Sequence, residues 1–326
     1  MLLRNLATAV VMISFAGAAM ANPDAWRREW PLTDFTKTNV AEWSEIMGGG
    51  PSRDGIPALD NPSFLLASEE TRIGDREPVV TVQIDGEVAR TYPLRYLVWH
   101  EIVNDESGGF PYAVTYCPLC NSVPVFDRRV NGEVLNFGVS GKLRQANLIM
   151  FDRQTESWWQ QATGEGIVGA YTGAELTQIA SWQESFAEFR ENNPQGLVMD
   201  EPNWRRAYGR NPYVGYDGAR QPFLFNGEDP PFGVPSLARV VRVGERAWPV
   251  GRLAQEPEVN EAGLTITWNA GQASALDTRK IADGRDIGTI RVRDAQGNDV
   301  PHDIIFAFSF NSFWPDGEWM MGNWTP

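Results

Sequence analysis

The two cysteines of this chain stand three residues apart, in the stretch YCPLCNS. Cys117 and Cys120 are the only cysteines among its 326 residues. Two thiols at this spacing can form a redox-active pair, supply half of a metal site or close a short disulfide. These possibilities imply different proteins, so the neighbouring residues have to discriminate among them.

A thioredoxin-like dithiol requires its first cysteine at the N-terminus of a long helix, whose dipole lowers the pKa of the thiol. Pro124 and an alternating strand pattern follow Cys120 within a few residues, so a helix is disfavoured here. A disulfide suits an exported protein with an even number of cysteines. However, a bridge across so short a loop removes little chain entropy and adds little stability.

A metal site built on these cysteines would hold a soft ion. A tight Cys-Pro-x-Cys turn can direct both sulfurs at one ion, and thiolates combined with an imidazole or a thioether suit copper(I). The further ligands would be His100, on a preceding helix, and Met150, on a later strand, with Asp152 or Glu156 as alternatives. We expect a soft-metal binding or redox site; the cofactor is otherwise unknown, and copper is the candidate.

The residues after the cysteines carry many polar side chains between apolar strand positions. The pattern favours a solvated face, with a cleft as the alternative. In a rival interpretation the cysteines form a disulfide, and an aromatic and polar face binds a glycan, peptide or partner protein. That face comprises Asp152, Arg153, Glu156, Trp158, Trp159 and Gln160. In a third interpretation the chain is an enzyme whose acid and base are drawn from Asp152, Glu156 and Glu165.

Residues 1–21 have the pattern of a signal peptide, with Arg4, an apolar run and the small-x-small sequence Ala19-Met20-Ala21. We therefore expect a periplasmic or secreted protein with no stable membrane span after cleavage. The net charge of −14 opposes binding to a phosphate backbone. Nucleic acid is excluded as a partner, which leaves an unknown periplasmic partner or a small ligand.

Local patterns predict several elements. Residues 79–92 alternate around Asp85-Gly86, which predicts a β-hairpin, and a second hairpin is predicted around Asn131-Gly132. Apolar residues spaced three to four apart predict a helix over 93–105 and another over 178–194.

The order of these patterns recurs later in the chain. Matching landmarks lie about 150 to 158 residues apart: Tyr92-Pro93-Leu94 with Trp248-Pro249-Val250, Asp127 with Asp277, and Ser157-Trp158-Trp159 with Ser312-Phe313-Trp314. We predict a β-rich α+β fold of two similar β-rich halves that arose by internal duplication, with a few helices and long loops. The predicted units are an extension (22–74), a first repeat carrying the cysteines (75–170), a helix and loop connector (171–237) and a second repeat (238–326).

The two predicted repeats differ in their chemistry. Cys117 and Cys120 fall opposite Thr267 and Ala270 in the second repeat, so the thiols belong to one half only. If the scaffold needed them for stability, the second repeat would need a substitute. The asymmetry favours a functional role for the pair.

Several long motifs occur in order: WHEIVND, VTYCPLCNS, VFDRRVNGEVLNFGVSGKLRQANLIMFDRQTESWWQQATGE and FAFSFNSFWPDGEW. Through these motifs the chain closely resembles the bacterial domain-of-unknown-function family numbered 3179, over most of residues 75–320. The resemblance implies an exported bacterial protein and assigns no chemistry. It marks as motif positions His100, Cys117, Cys120, Asp152, Arg153, Glu156, Trp158, Trp159 and Gln160.

Overall fold

The computed structural model of the protein describes residues 23–326, and the predicted signal peptide lies outside the described residues. The described chain is β-rich, with five short α-helices among many strands. No helix in residues 23–326 is long and apolar enough to cross a membrane.

The segment before residue 75 contributes little regular structure of its own. Its elements are α1 (Pro23–Trp26), β1 (Ile46–Gly48), β2 (Leu59–Asp60) and β3 (Phe64–Leu66). Each of its three strands joins a sheet formed by later parts of the chain. The segment is therefore integrated into the fold.

The first half contains the predicted hairpins. Its elements are β4 (Pro78–Val82), β5 (Arg90–Pro93), α2 (Leu94–His100), β6 (Ile102–Ser107), β7 (Phe110–Thr115), β8 (Val125–Asp127), β9 (Arg129–Val130), β10 (Glu133–Val134), β11 (Phe137–Arg144), β12 (Asn147–Asp152), β13 (Trp158–Gln160) and β14 (Gly166–Val168). β4 pairs with β5 and β9 with β10, which confirms both hairpins. The predicted helix over 93–105 is too long, because Glu101 takes a positive φ of 59° and ends it at His100.

The rest of the chain also consists of short strands and helices. Its elements are β15 (Ser181–Ser185), α3 (Phe186–Asn192), β16 (Leu197–Met199), β17 (Arg239–Val243), β18 (Arg246–Pro249), α4 (Val250–Leu253), β19 (Glu258–Glu261), β20 (Leu264–Asn269), β21 (Thr289–Asp294), β22 (Asp303–Phe306), α5 (Ala307–Phe313) and β23 (Glu318–Trp319). The predicted helix over 178–194 is wrong in its first half. There β15 pairs with β4, and Ser185 caps α3 in a capping box with Glu188.

Two of the sheets have the same order in their first four strands. One runs β15-β4-β5-β16-β3 and the other β22-β17-β18-β23. In each, the first two pairings are antiparallel and the third, β5 with β16 or β18 with β23, is parallel. A short helix follows the matching strands in both: α3 after β15 and α5 after β22, α2 after β5 and α4 after β18.

The ends of α3 and α5 are also alike. Pro194-Gln195-Gly196 follows α3, and Pro315-Asp316-Gly317 follows α5. The predicted match of Ser157-Trp158-Trp159 with Ser312-Phe313-Trp314 is wrong, because the first triplet enters strand β13 and the second ends helix α5.

A four-stranded sheet, β2-β6-β7-β8, leads into the cysteines, and the other five-stranded sheet, β1-β11-β12-β13-β14, carries the polar stretch that follows them. One face lies on a core that contains both cysteines, Met150 and Trp159. Its other face, which includes Trp158, is covered by the aromatic side chains of the N-terminal segment. The sheet is buried on both sides, unlike the solvated face that the sequence favoured.

Gly196 and Gly317 pack against the helix that precedes each of them. A Cβ atom on Gly196 would lie 2.7 Å from Phe189 Cζ and 2.8 Å from the carbonyl oxygen of Asn193, and one on Gly317 would lie 2.5 Å from Phe310 Cζ. We expect Gly196→Ala and Gly317→Ala each to lower the free energy of unfolding by about 1–3 kcal/mol, measured by urea denaturation.

Gly48→Ala is the matched control, because a Cβ atom there has no neighbour within 4 Å. It should change the free energy of unfolding by less than about 0.5 kcal/mol. Equal effects at Gly48 and Gly196 would contradict the packing argument.

Candidate functional site

The cysteines lie in a tight turn between β7 and β8. Cys117 and Ser122 pair across the turn, with the Cys117 amide donating to the Ser122 carbonyl at 2.9 Å and the Ser122 amide donating back at 3.3 Å. Asn121 adopts the left-handed conformation with φ of 51°, which asparagine tolerates better than most residues. We call residues 117–122 the cysteine turn.

Both cysteines are free thiols, and both are buried. The sulfurs of Cys117 and Cys120 lie 3.8 Å and 3.4 Å from the same acceptor, the carbonyl oxygen of Ala146. The amide of Leu148 donates to Cys117 Sγ at 3.4 Å. The two thiols therefore converge on the tip of the β11–β12 hairpin without forming the disulfide of the rival interpretation.

The backbone of that hairpin tip is strained. Gln145 and Ala146 have φ values of 51° and 56°, the combination of a two-residue type I′ turn. Glycine or asparagine would adopt this conformation at lower cost, and other residues pay roughly 1–2 kcal/mol each. The strain is local to the carbonyl that contacts both sulfurs, which is typical of a functional site.

Strand β22, from the second half of the chain, holds the cysteine turn in place. Two backbone groups and both oxygens of one buried carboxyl take part. The four hydrogen bonds are Phe306 N to Cys120 O (2.8 Å), Asn121 Nδ2 to Ile304 O (2.8 Å), Ser122 Oγ to Asp303 Oδ2 (2.6 Å) and Val123 N to Asp303 Oδ1 (2.8 Å).

Buried amides hold the cysteine turn from the opposite side. The Gln161 amide nitrogen donates to Thr115 Oγ1 at 2.9 Å and to the Ser122 carbonyl at 3.1 Å. Asn147 donates to Gln161 at 2.8 Å and accepts from Gln160 at 2.6 Å. Gln160, a predicted binding residue, therefore belongs to the support of the turn.

A cavity of about 70 Å³ lies beside Cys117. Its wall is mostly apolar and runs from the exposed Pro51 to the fully buried Leu148. Three ionisable residues besides Cys117 line the cavity: Glu101, Tyr213 and Lys142, whose ammonium group lies 3.4 Å from Glu29 Oε2. The lining residues are Gly49, Pro51, Ile56, Glu101, Cys117, Pro118, Leu119, Val139, Gly141, Lys142, Leu143, Leu148 and Tyr213.

Burial decides the protonation of Cys117, Glu101 and Tyr213. It raises the pKa of Cys117 well above its usual value, with Cys120 adding to the effect, so Cys117 remains a neutral thiol. Burial also raises the pKa of Glu101, with a smaller contribution from Cys117. The pKa of Tyr213 is raised by burial, then by Glu101 and Cys117. The cavity thus presents a thiol, a carboxylic acid and a phenol.

The structure does not bring His100 to the cysteines. Its Nδ1 lies 2.7 Å from the carbonyl oxygen of Pro57, and its Nε2 lies 2.6 Å from the hydroxyl of Tyr208. Both ring nitrogens are therefore engaged elsewhere. Met150, in contrast, lies in the same core cluster as Cys117 and Cys120.

The other predicted site residues bind the N-terminal segment. Glu156 accepts from the amide of Leu32 at 2.9 Å and from Arg53 at 2.7 Å. Arg153 donates to both oxygens of Asp54, at 3.0 Å and 2.9 Å.

Asp152 and the two tryptophans are likewise occupied. Asp152 accepts from Trp159 Nε1 at 2.9 Å, and Trp158 packs edge-on against Trp30 and Phe35. Both tryptophans are fully buried. The carboxylates suggested as acid and base thus all have structural partners, since Glu165 accepts a hydrogen bond from Asn39.

Within residues 23–326 no group of three or more His, Cys, Asp or Glu side chains is arranged to hold a metal ion. A metal at the cysteine turn would therefore have to be held chiefly by two sulfurs. The turn, its strained acceptor and the neighbouring cavity are the candidate site.

The comparison with protein families agrees with the motifs. The model of the family described as protein of unknown function (DUF3179) matches residues 53–317. The chain belongs to the DUF3179 family. No curated protein and no solved structure matches it. The DUF3179 match spans both β22 and the cysteine turn, and it contains the whole candidate site except Gly49 and Pro51 of the cavity wall.

Sequence reasoning missed three residues of this DUF3179 site: Glu101, Tyr213 and Asp303. Glu101 lay within a predicted helix, and Tyr213 lay in a stretch assigned to long loops. Asp303 precedes a nearly apolar run of the second half. Their roles come from tertiary contacts, for which the local sequence carries no signal.

His302 and Asp303 are buried neighbours whose pKa values shift in opposite directions. Burial lowers the pKa of His302 to about 4. Burial raises the pKa of Asp303 to about 6, although Arg242 and the hydrogen bond from Ser122 oppose the rise. Between pH 4 and 6, the folded chain holds one proton fewer at His302 and one more at Asp303 than the unfolded chain does. The two contributions to the pH dependence of stability therefore offset each other.

We predict that single substitutions reveal the two contributions. In His302→Asn only Asp303 remains, so the free energy of unfolding relative to wild type should fall by up to about 3 kcal/mol as the pH rises from 4 to 6. In Asp303→Asn only His302 remains, so the free energy of unfolding relative to wild type should rise by a similar amount from pH 4 to 6.5. Urea unfolding at several pH values measures both. Variants that both follow the wild-type pH dependence would contradict the assignment.

Proposed function

We propose that this protein is an exported protein that binds one copper(I) ion between Cys117 and Cys120. The observation that carries the proposal is the convergence of two free, buried thiols of one tight turn on a single carbonyl oxygen. The predicted signal peptide supports export, since its small-x-small sequence at residues 19–21 suits cleavage.

The ligand set favours a soft monovalent ion. Zinc normally requires four ligands, and the described residues contain no group of three or more His, Cys, Asp or Glu side chains that could hold a metal ion. Copper(I) has a filled d shell and accepts two thiolates, with or without a thioether. Met150, in the same core cluster, could supply that thioether. Two sulfurs therefore suffice for copper(I) and not for zinc.

Metal binding also agrees better with the thiol chemistry than redox catalysis does. A catalytic dithiol needs a stable thiolate at neutral pH, whereas burial raises the pKa of Cys117. A soft metal displaces the thiol protons as it binds. The Leu148 amide, which donates to Cys117 Sγ, would then stabilise the resulting thiolate.

We also infer that the two halves arose by internal duplication. The proposal is supported by the common order and orientation of the sheets β15-β4-β5-β16 and β22-β17-β18-β23. It is also supported by the Pro-x-Gly sequences, with equally tight glycines, after α3 and α5. After duplication, the first half gained the thiols, and the second half retained a strand that supports their turn.

The first test is equilibrium binding of copper(I) to the reduced protein, in competition with a chromophoric chelator such as bicinchoninate. Wild type should bind one copper(I) per chain. Cys117→Ser and Cys120→Ser should each weaken binding at least about 100-fold, because a single thiolate cannot chelate the ion. A reduced, folded wild type that takes no copper(I) would overturn the proposal.

Two further variants separate ligands from neighbours. His100→Asn should leave copper(I) affinity within about twofold, since both nitrogens of His100 bind other groups. Met150→Leu preserves core volume and removes the thioether, so a loss of about 10-fold would assign Met150 as a third ligand. A loss in His100→Asn as large as that in Cys117→Ser would contradict the two-sulfur site.

A further inference from the structure

The cavity beside the cysteine turn reaches only one of the two sulfurs. Cys117 is among its lining residues, and Cys120 is not. The wall changes from the exposed Pro51 and the half-buried Ile56 to the fully buried Leu148. The cavity therefore forms a path from the surface of the protein to Cys117.

Glu101 is held in this path at a conformational cost. Its φ of 59° is unusual for glutamate, and the residue ends helix α2, where glycine or asparagine is favoured. Its amide donates to the Leu97 carbonyl at 2.7 Å, and its carbonyl accepts from the Tyr116 amide at 2.7 Å. The backbone is thus fixed on both sides.

The carboxyl of Glu101 has no hydrogen-bond or ion-pair partner among residues 23–326; its oxygens are not fully enclosed, and only 7% of the residue is exposed. Buried polar groups of native proteins are nearly always paired, so an unpaired one calls for an explanation. An unpaired carboxyl in the wall of a cavity beside a thiol is available to bind a cation that enters the cavity.

We infer that this cavity is the access subsite for the metal, in which the Glu101 carboxylate and Cys117 are the first ligands of an incoming soft monovalent cation. The inference rests on the proposed copper(I) function. We define the access subsite by Ile56, Glu101, Cys117, Leu119 and Tyr213.

The transfer balances without an oxidant or reductant. The cation displaces the proton of the Glu101 carboxyl as it binds oxygen, and it displaces the Cys117 thiol proton as the first metal–sulfur bond forms. The metal–oxygen bond then breaks while the bond to Cys120 forms. Glu101 recovers its proton from the Cys120 thiol, so one ion enters and two protons leave in total.

The remaining walls favour a weakly hydrated ion of low charge. Ile56, Leu119 and Val139 offer no ligands, so an ion that passes them must shed water. Dehydration costs far more for a divalent cation than for copper(I) or silver(I), because the solvation energy of an ion grows with the square of its charge.

Access is tested first with iodoacetamide, a small neutral reagent that forms a sulfur–carbon bond with loss of iodide and the thiol proton. Peptide mapping by mass spectrometry should show Cys117 alkylated at least 10-fold faster than Cys120 in wild type. Ile56→Trp, which fills the path, should slow the alkylation of Cys117 at least 10-fold. In the control Ile84→Trp, at another half-buried isoleucine, Cys117 should be alkylated at the wild-type rate. Equal rates at both cysteines, unaffected by Ile56→Trp, would overturn the path.

The role of Glu101 is tested with silver(I), a soft cation that does not change oxidation state on binding thiolates. In stopped-flow absorbance of the sulfur-to-metal band, Glu101→Gln should slow association at least 10-fold yet reach the same final silver content. Its Cys117 alkylation rate should match wild type, which excludes a blocked cavity. Unchanged silver association at full stoichiometry would overturn the access subsite alone. A wild type that is alkylated at Cys117 but takes up no silver would overturn the copper(I) proposal as well.

Discussion

The position of the two thiols depends on the hydrogen bonds between strand β22 and the cysteine turn. Asp303 accepts from consecutive residues, Ser122 and Val123, so one buried carboxyl fixes both the side chain and the backbone at the exit of the turn. Phe306 fixes the carbonyl of Cys120. Such hydrogen bonds are strong in a buried environment, and a buried donor or acceptor that lacks a partner costs free energy. The thiols are therefore presented by the first half of the chain and positioned by the second.

Burial of the polar stretch after the cysteines follows from the same principle. The sequence favoured a solvated face because Asp152, Glu156 and Gln160 alternate with apolar residues. In the structure each of these side chains is paired: Glu156 with Arg53 of the N-terminal segment, Asp152 with Trp159 and Gln160 with Asn147. Asn147 and Gln161 connect the sheet to the turn. Buried polar groups are tolerated where they are paired, and paired groups specify one arrangement of the elements. The charges near the cysteines serve to attach the N-terminal segment and to rigidify the turn.

Local signals predicted the elements that local interactions determine. Asp85-Gly86 and Asn131-Gly132 identified hairpins because their backbone requirements are set within four residues. Residues 181–185 were misassigned to a helix, since their apolar spacing continues that of α3, and only the pairing with β4 makes them a strand. The end of α2 was missed because Glu101 carries none of the usual stop signals, and a tertiary constraint holds it in the left-handed conformation.

The candidate site was half predictable for a related reason. Cysteine chemistry is visible in sequence, so Cys117 and Cys120 were predicted as ligands from their spacing. Met150 was predicted as a further ligand on a later strand. The sequence also favoured His100 as a ligand, whereas its neighbour Glu101 lines the cavity. Consecutive side chains at the end of a helix point in very different directions, so a shift of one residue changes which of them faces the cavity. Tyr213 and Asp303 approach the turn from segments about 100 and 180 residues away along the chain, which no local pattern encodes. A site assembled from a turn, a helix end, a loop and a strand of the other half requires all of them at once, so its geometry is a property of the whole fold.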